Sequence, residues 1–229
     1  MIIFLHGFLG NPGDWNKISE YLSMPYQTLT LPGHNNSPLP DDINHALRQE
    51  ISEPVTLVGY SLGGRLALDF ATRFPELVEK LIILSANPGI ERERKRQERK
   101  KWDEAWCELI DKQGFPTFLK KWYEQPLFHT FRESPDFAHI FNNRLQESPT
   151  AMKEIFLRLS PAILPPLWEA IEKFSFPTLF LFGEHDIKYQ LVKTRLQKMG
   201  VKTDLIPNSG HAIHLENPSV CAKKIKEFL

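Results

Sequence analysis

Short apolar runs recur along the chain at the length of a β-strand: residues 2–5, 26–29, 55–58, 81–84, 178–182 and 203–206. Most are continuous rather than alternating, the pattern of strands covered on both faces of a parallel sheet. Helix-length segments lie between them, notably 14–22, 62–74, 190–199 and 218–228. Strands alternating with helices predict βαβ units and an α/β fold.

The alternation stops between Asn87 and about Lys173. That stretch offers no strand, several amphipathic helical segments, and prolines at 116, 126, 135, 149, 161, 165 and 166. Prolines bound helices more often than they interrupt them. The expected organisation is an α/β core of residues 1–87 and 174–229, with residues 88–173 inserted as a helical cap before the strand at 178–182.

The 229 residues suffice for one such domain with its insertion. The 28 basic and 28 acidic side chains cancel, which argues against a surface built wholly for nucleic acid or an anionic membrane. A local basic pocket remains open. Cys107 and Cys221 fit no metal-ligand spacing and are expected as free thiols. No run approaches the roughly 20 apolar residues of a membrane span, and the apolar start is too short for a signal-peptide core. The expectation is a cytoplasmic protein, monomeric by default, with no nucleic-acid partner and no membrane insertion. No H-x-x-x-H, cysteine cluster or glycine-rich phosphate loop points to a metal or organic cofactor.

The most informative string is Gly59-Tyr60-Ser61-Leu62-Gly63. It fits a G-x-S-x-G nucleophile elbow, with an apolar strand before it and an amphipathic helix after it. A sharp strand-to-helix turn strains the serine backbone, and side chains at 59 and 63 would collide with neighbouring elements. The serine then projects at a helix N-terminus, where the Leu62 amide can donate to a developing oxyanion. A chance glycine-serine turn is the bland alternative, and the flanking pattern weighs against it. His6-Gly7-Phe8-Leu9-Gly10 follows the first strand, and the Phe8 amide is the candidate second donor. His6 reads as a loop-stabilising histidine rather than an acid or base.

Two further groups complete a triad in the order serine, acid, histidine. Leu179 to Asp186 puts carboxylates just past a buried strand, where chemistry sits in parallel sheets. Asp186 is favoured over Glu184. His211, behind Gly210 and after the strand at 203–206, is favoured over His214, which reads as a histidine that is solvated or that supports the site from behind. A neutral imidazole oriented by a carboxylate can take the serine proton.

Together with Leu31-Pro32-Gly33-His34, these motifs resemble the α/β-hydrolase superfamily over essentially the whole chain. Two departures stand out. Asn35 replaces the glycine usual after Pro-Gly-His, a position whose left-handed backbone asparagine tolerates. The strand at 2–5 corresponds to the superfamily's third, so the leading hairpin is expected to be missing. Within the superfamily, the chain resembles the 2-succinyl-6-hydroxy-2,4-cyclohexadiene-1-carboxylate synthases of menaquinone biosynthesis. The strings that carry this are Ser85 to Gly89 followed by Arg96, Arg99, Asp103 and Trp106; Trp122 to Pro126; Arg65; and Asp186-Ile187-Lys188. The resemblance implies a lyase rather than a hydrolase: the serine removes a proton and a 2,5-elimination expels pyruvate.

Such a substrate carries three carboxylates, so its pocket needs cations. Residues 91–101 hold seven Lys/Arg against three Glu. For most of these a solvated helix face is the plain reading. Arg92, Arg96, Arg99, Asp103, Trp106 and Ile110 nevertheless fall on one helical stripe, and its apolar end must face protein. Arg96 and Arg99 are therefore expected to point inward. Arg65 lies one turn after Ser61, and arginine's planar fork suits carboxylates. Arg144 and Lys188 are the other cations the resemblance implies, with Tyr60 and Trp122 lining the pocket. Alternatives are a serine hydrolase acting on esters or carbon–carbon bonds, and a non-catalytic ligand-binding relative.

Overall fold

The computed structural model describes all residues, Met1–Leu229. Six strands, β1 (Ile2–Leu5), β2 (Tyr26–Leu29), β3 (Val55–Tyr60), β4 (Val78–Leu84), β5 (Thr178–Gly183) and β6 (Lys202–Ile206), form one sheet. The order is β2-β1-β3-β4-β5-β6, and every pairing is parallel. The α/β expectation holds, and each expected strand is present.

The central strands β1 and β3 are wholly buried, as their continuous apolar runs require. The edges differ from the sequence expectation. Tyr26 and Gln27 of β2 are exposed, and only Ile206 of β6 is fully buried. An edge strand has a neighbour on one side only, so short runs with polar positions suffice there.

Eight helices of two turns or more accompany the sheet. They are α1 (Ile43–Glu50), α2 (Leu62–Arg73), α3 (Glu93–Gln113), α4 (Phe115–Tyr123), α5 (Phe137–Arg144), α6 (Pro149–Leu159), α7 (Ile187–Lys198) and α8 (Pro218–Phe228). Helix α1 was not foreseen, although Asp42 caps it by accepting from the His45 amide at 3.1 Å. The expected helix at 14–22 is two single turns, Pro12–Trp15 and Asn16–Ser19. Asn11 and Asp14 close a capping box on the first, and Trp15 and Ile18 anchor the pair in the core.

Between β4 and β5 there are helices and turns but no strand. Pro116, Pro126 and Pro149 sit in first turns, where a missing N–H costs nothing. Gly114, at φ 81°, ends α3 and turns the chain into α4. The buried apolar side chains form one continuous cluster running from the sheet into this segment through Phe118, Met152 and Phe156. Asn35 does adopt left-handed backbone, φ 49°, and its amide donates to Glu147 across the interface with the segment. No helix is long and apolar enough to cross a membrane.

The tightest packing is where α2 leaves β3. A Cβ on Gly59 would lie 2.5 Å from the Gly63 carbonyl oxygen, and one on Gly63 would collide with the backbone carbonyls of Leu5 and His6. Neither obstacle is a movable side-chain tip. Gly63→Ala is therefore expected to destabilise the fold by about 3 kcal/mol, the upper range for overpacking. In a thermal melt this should appear as a fall in Tm of roughly 6–12 °C.

Candidate active site

Ser61 joins β3 to α2 with φ 50° and ψ −109°. For a non-glycine residue this backbone costs on the order of 1–3 kcal/mol, and packing must enforce it. The Ser61 amide donates to the Leu84 carbonyl at 2.9 Å, which ties the turn to β4. The Ser61 Oγ lies 3.2 Å from His211 Nε2, and His211 Nδ1 lies 2.7 Å from Asp186 Oδ2. Asp186 and His211 are both buried. The structure thus brings together the three residues picked from the sequence.

The rivals fall elsewhere. Glu184 accepts from the Asn208 amide at 3.0 Å and braces the loop that carries His211. His214 is fully buried, with its ring 4.7 Å from Trp15 and 4.2 Å from Tyr60. It is therefore not solvated, and it is not the serine's partner. His6 Nε2 accepts from the Leu31 amide at 3.0 Å, a loop-holding contact that requires a neutral ring.

Several neighbours escaped the sequence reading. Tyr189 packs against the His211 ring at 4.8 Å. It lies one helical turn past Asp186, a spacing that could have exposed it. Glu216 accepts from the Gly210 and Ala212 amides, both at 2.8 Å, and so clamps the backbone on either side of His211. The His211 amide donates to the Leu127 carbonyl at 3.3 Å, so the helical stretch between β4 and β5 also holds this loop.

The loop after β1 passes directly over Ser61, since a Cβ on Gly7 would meet the Tyr60 ring at 2.7 Å and the Ser61 Cβ at 3.5 Å. The Phe8 amide has no acceptor within the protein. Leu62 is the first residue of α2, where a helix leaves its amides unpaired. Two candidate donors therefore border the serine.

Apart from Asp186, which stands behind His211, and Arg96, the expected site residues line one cleft: Phe8, Tyr60, Ser61, Leu62, Arg65, Arg99, Trp122, Arg144, Lys188 and His211. Arg65 is buried, donates through Nη1 to the Asn87 carbonyl at 3.0 Å, and has no partner for Nε or Nη2. Burial lowers its pKa to about 10, still a cation at neutral pH. Lys188 keeps access to solvent, yet partial desolvation first and the charge of Arg99 second push its pKa down. Arg99 donates through Nε to Asp103 at 2.8 Å. Trp122 lines the cleft and also packs within 6 Å of Trp102, Trp106 and Phe118.

Two of the expected cations are spoken for. Arg96 is turned to the insertion's own backbone, donating to the carbonyls of Ala162 and Ile163, and does not line the cleft. Helical spacing put it on the right stripe, but the carbonyls of the turn after α6 lay within its reach. Arg144 lines the cleft but is neutralised by Asp14 at 2.5 Å. Burial weighs against its charge, and Asp14 and Tyr123 outweigh burial, so its pKa is raised.

With parallel sheet, strand-to-helix serine and triad geometry in hand, the class follows. The sequence model of the alpha/beta hydrolase family matches residues 2–224, and the chain belongs to that family. Within it the chain groups with the 2-succinyl-6-hydroxy-2,4-cyclohexadiene-1-carboxylate synthases. It is 31% identical to the synthase of Enterobacter sp. (strain 638), covering 100% of this chain and 91% of that protein. The structure of MenH from S. aureus superposes with a TM-score of 0.90 at 30% identity, covering 100% of this chain and 92% of that one. A third relative, Protein PHYLLO, chloroplastic, of Arabidopsis thaliana, is 30% identical over 99% of this chain; the chain spans only 15% of its length.

Beneath the site lie three buried imidazoles. Burial pushes His6 and His214 down to about 3, and His34 well below its ordinary value of 6.5. Each pKa is lower folded than unfolded, so the unfolded chain binds more protons below about 6.5 and stability falls as pH drops toward 3. Each imidazole contributes up to about 1.4 kcal/mol per pH unit in that window. The urea midpoint should be flat from pH 8 to 7 and fall steeply from 6.5 to 4. His214→Phe should make that fall shallower without loss at pH 7.5, because neither ring nitrogen has a partner to lose.

Proposed function

We propose that this chain catalyses the reaction for which its synthase relatives are named, as a carbon–oxygen lyase that eliminates pyruvate in menaquinone biosynthesis. The observation that carries the reading is one cleft in which a serine–histidine–aspartate set faces Arg65, a buried cation without a carboxylate partner, with the exposed Lys188 and the half-buried Arg99 beside it. An unpaired buried cation is expensive unless a ligand anion completes it. A cleft for neutral esters has no use for such a charge with two further cations beside it.

In this reading His211, oriented through Nδ1 by Asp186, takes the Ser61 hydroxyl proton at Nε2. Ser61 Oγ then removes a proton from a ring carbon of the substrate. The electrons of that carbon–hydrogen bond move through the ring, and the carbon–oxygen bond to the enolpyruvyl group breaks. The departing enolate takes a proton and leaves as pyruvate. No acyl-enzyme forms, so the serine acts as a base. The Phe8 and Leu62 amides hold the enolate-like charge that develops. Arg65, Arg99 and Lys188 bind the substrate carboxylates, and Tyr60 and Trp122 shape the apolar wall. Arg144, paired with Asp14, presents its unpartnered Nε as a neutralised donor rather than a free charge.

Residues 88–173 act as a cap over the core formed by 1–87 and 174–229. The unpaired thiols of Cys107 and Cys221 suit a reducing cytoplasm.

The test pairs two assays on wild type and Ser61→Ala: pyruvate release from the succinyl enolpyruvyl cyclohexene substrate, and cleavage of a short neutral nitrophenyl ester. Pyruvate release should be fast in wild type and fall about 10³-fold or more in Ser61→Ala, with slow ester cleavage throughout. Strong ester hydrolysis without pyruvate would assign the chain to the serine hydrolases instead.

A further inference from the structure

Asp103 lies one helical turn after Arg99 on α3 and is only 2% exposed. A carboxylate so buried needs a partner for each oxygen. Arg99 Nε donates to Oδ1 at 2.8 Å, and the Ser160 hydroxyl donates to Oδ2 in a very short contact. Ser160 is itself fixed, since its oxygen accepts from the Ala162 amide at 2.9 Å. It stands at the end of α6 and lines the cleft, as Arg99 does from α3. Burial pushes the Asp103 pKa up, and Arg99 and Ser160 work against that rise.

How Arg99 is held is what matters. Its guanidinium lies over the Trp102 ring at 4.6 Å, and its terminal nitrogens donate to no protein acceptor. Gripped at Nε and along one face, a guanidinium has only its forked edge left, and that edge binds carboxylates two-fold. We infer that Asp103 is a positioning residue for carboxylate recognition: it sets Arg99 with its fork toward the cleft, and Ser160 sets Asp103. The inference rests on the polycarboxylate substrate proposed above. Released from Asp103, Arg99 regains rotamers leading to solvent, and ordering it again falls on binding. The penalty belongs to substrate capture, not to the proton transfer at Ser61.

The experiment is steady-state pyruvate release by wild type, Asp103→Asn, Ser160→Ala, Arg99→Ala and the Arg99→Ala/Asp103→Asn pair, with thermal melts for folding. Asp103→Asn should raise KM roughly tenfold, the worth of one charge-assisted hydrogen bond, and leave kcat within about threefold. Ser160→Ala should raise KM less. In the Arg99→Ala background the second substitution should add almost nothing, because the effect passes through Arg99. An unchanged KM in Asp103→Asn, a fall in kcat alone, or a KM rise that persists without Arg99 would each overturn the inference. Should Asp103→Asn fail to fold, Ser160→Ala decides, and an unchanged KM there overturns it. If Arg99→Ala itself leaves KM untouched, the polycarboxylate reading fails and takes the inference with it. That outcome is distinct from an inert Asp103→Asn beside a damaging Arg99→Ala.

Discussion

The site depends on the close crossing between β3 and α2. Backbone approaches backbone there because Gly59 and Gly63 carry no Cβ, and the strained Ser61 turn is the product of that approach. Once the turn is closed, the rest has little freedom. The loop after β1 must run over the serine, which puts the Phe8 amide beside it. The first amides of α2 open toward the same point. A second interlock repeats the logic at β5, where Gly183 packs against the backbone of Ser209 and Gly210. That contact brings the turn after β5, which carries Asp186, and the loop carrying His211 into hydrogen-bonding distance. The triad is thus assembled by two glycine-mediated backbone contacts rather than by attraction among its own side chains.

Electrostatics then separates the cations of the cleft into two kinds. Arg144, at the end of α5, has been given a carboxylate, Asp14, in the turn that follows β1, and sits as a closed pair. Arg65 has been given only a carbonyl, so its charge is buried without a counter-ion. In an ordinary core such an arrangement is destabilising, because desolvation is not offset. Its persistence next to the reactive serine makes sense if the missing carboxylates arrive with the substrate. Arg99 is intermediate, since Asp103 takes its Nε but not its fork. The degree to which each arginine is already satisfied therefore orders their roles, with Arg144 structural first and Arg65 ligand-directed first.

Much of the fold was legible because buried parallel strands need uninterrupted apolar runs, and Ile2 to Leu5 and Thr178 to Phe182 supply them. The triad was legible for a related reason: glycine-serine-glycine between strand and helix, followed by acid and histidine after later strands, has few other uses. What escaped notice depends on contacts distant in sequence. Asp14 finds Arg144 across 130 positions, and the Leu127 carbonyl finds the His211 amide across more than half of the insertion and all of β5 and β6. Arg96 shows the limit of periodicity. The stripe placed it correctly on α3, but a long side chain is settled by the nearest acceptors, here the carbonyls of Ala162 and Ile163. Edge strands such as β6 fail the continuous-run test because one side needs no cover.

The helical stretch between β4 and β5 is bonded directly to the loops of the site. The Leu127 carbonyl accepts from the backbone of His211. Asn35 donates to Glu147, and Arg158 donates to the carbonyls of Leu39 and Pro40. His211 is thus tied to this stretch by a backbone–backbone bond that no side-chain substitution removes, and the rest of the contact rests on the Glu147 and Arg158 side chains. A segment attached only at its rim could open while the triad stayed intact. One that holds the loop of His211 cannot move far without disturbing the geometry at Ser61. Chemistry should therefore be sensitive to the packing of residues 125–128 even though none of them reacts, and the apolar contact of Phe128 with the His211 ring at 5.9 Å lies on that path.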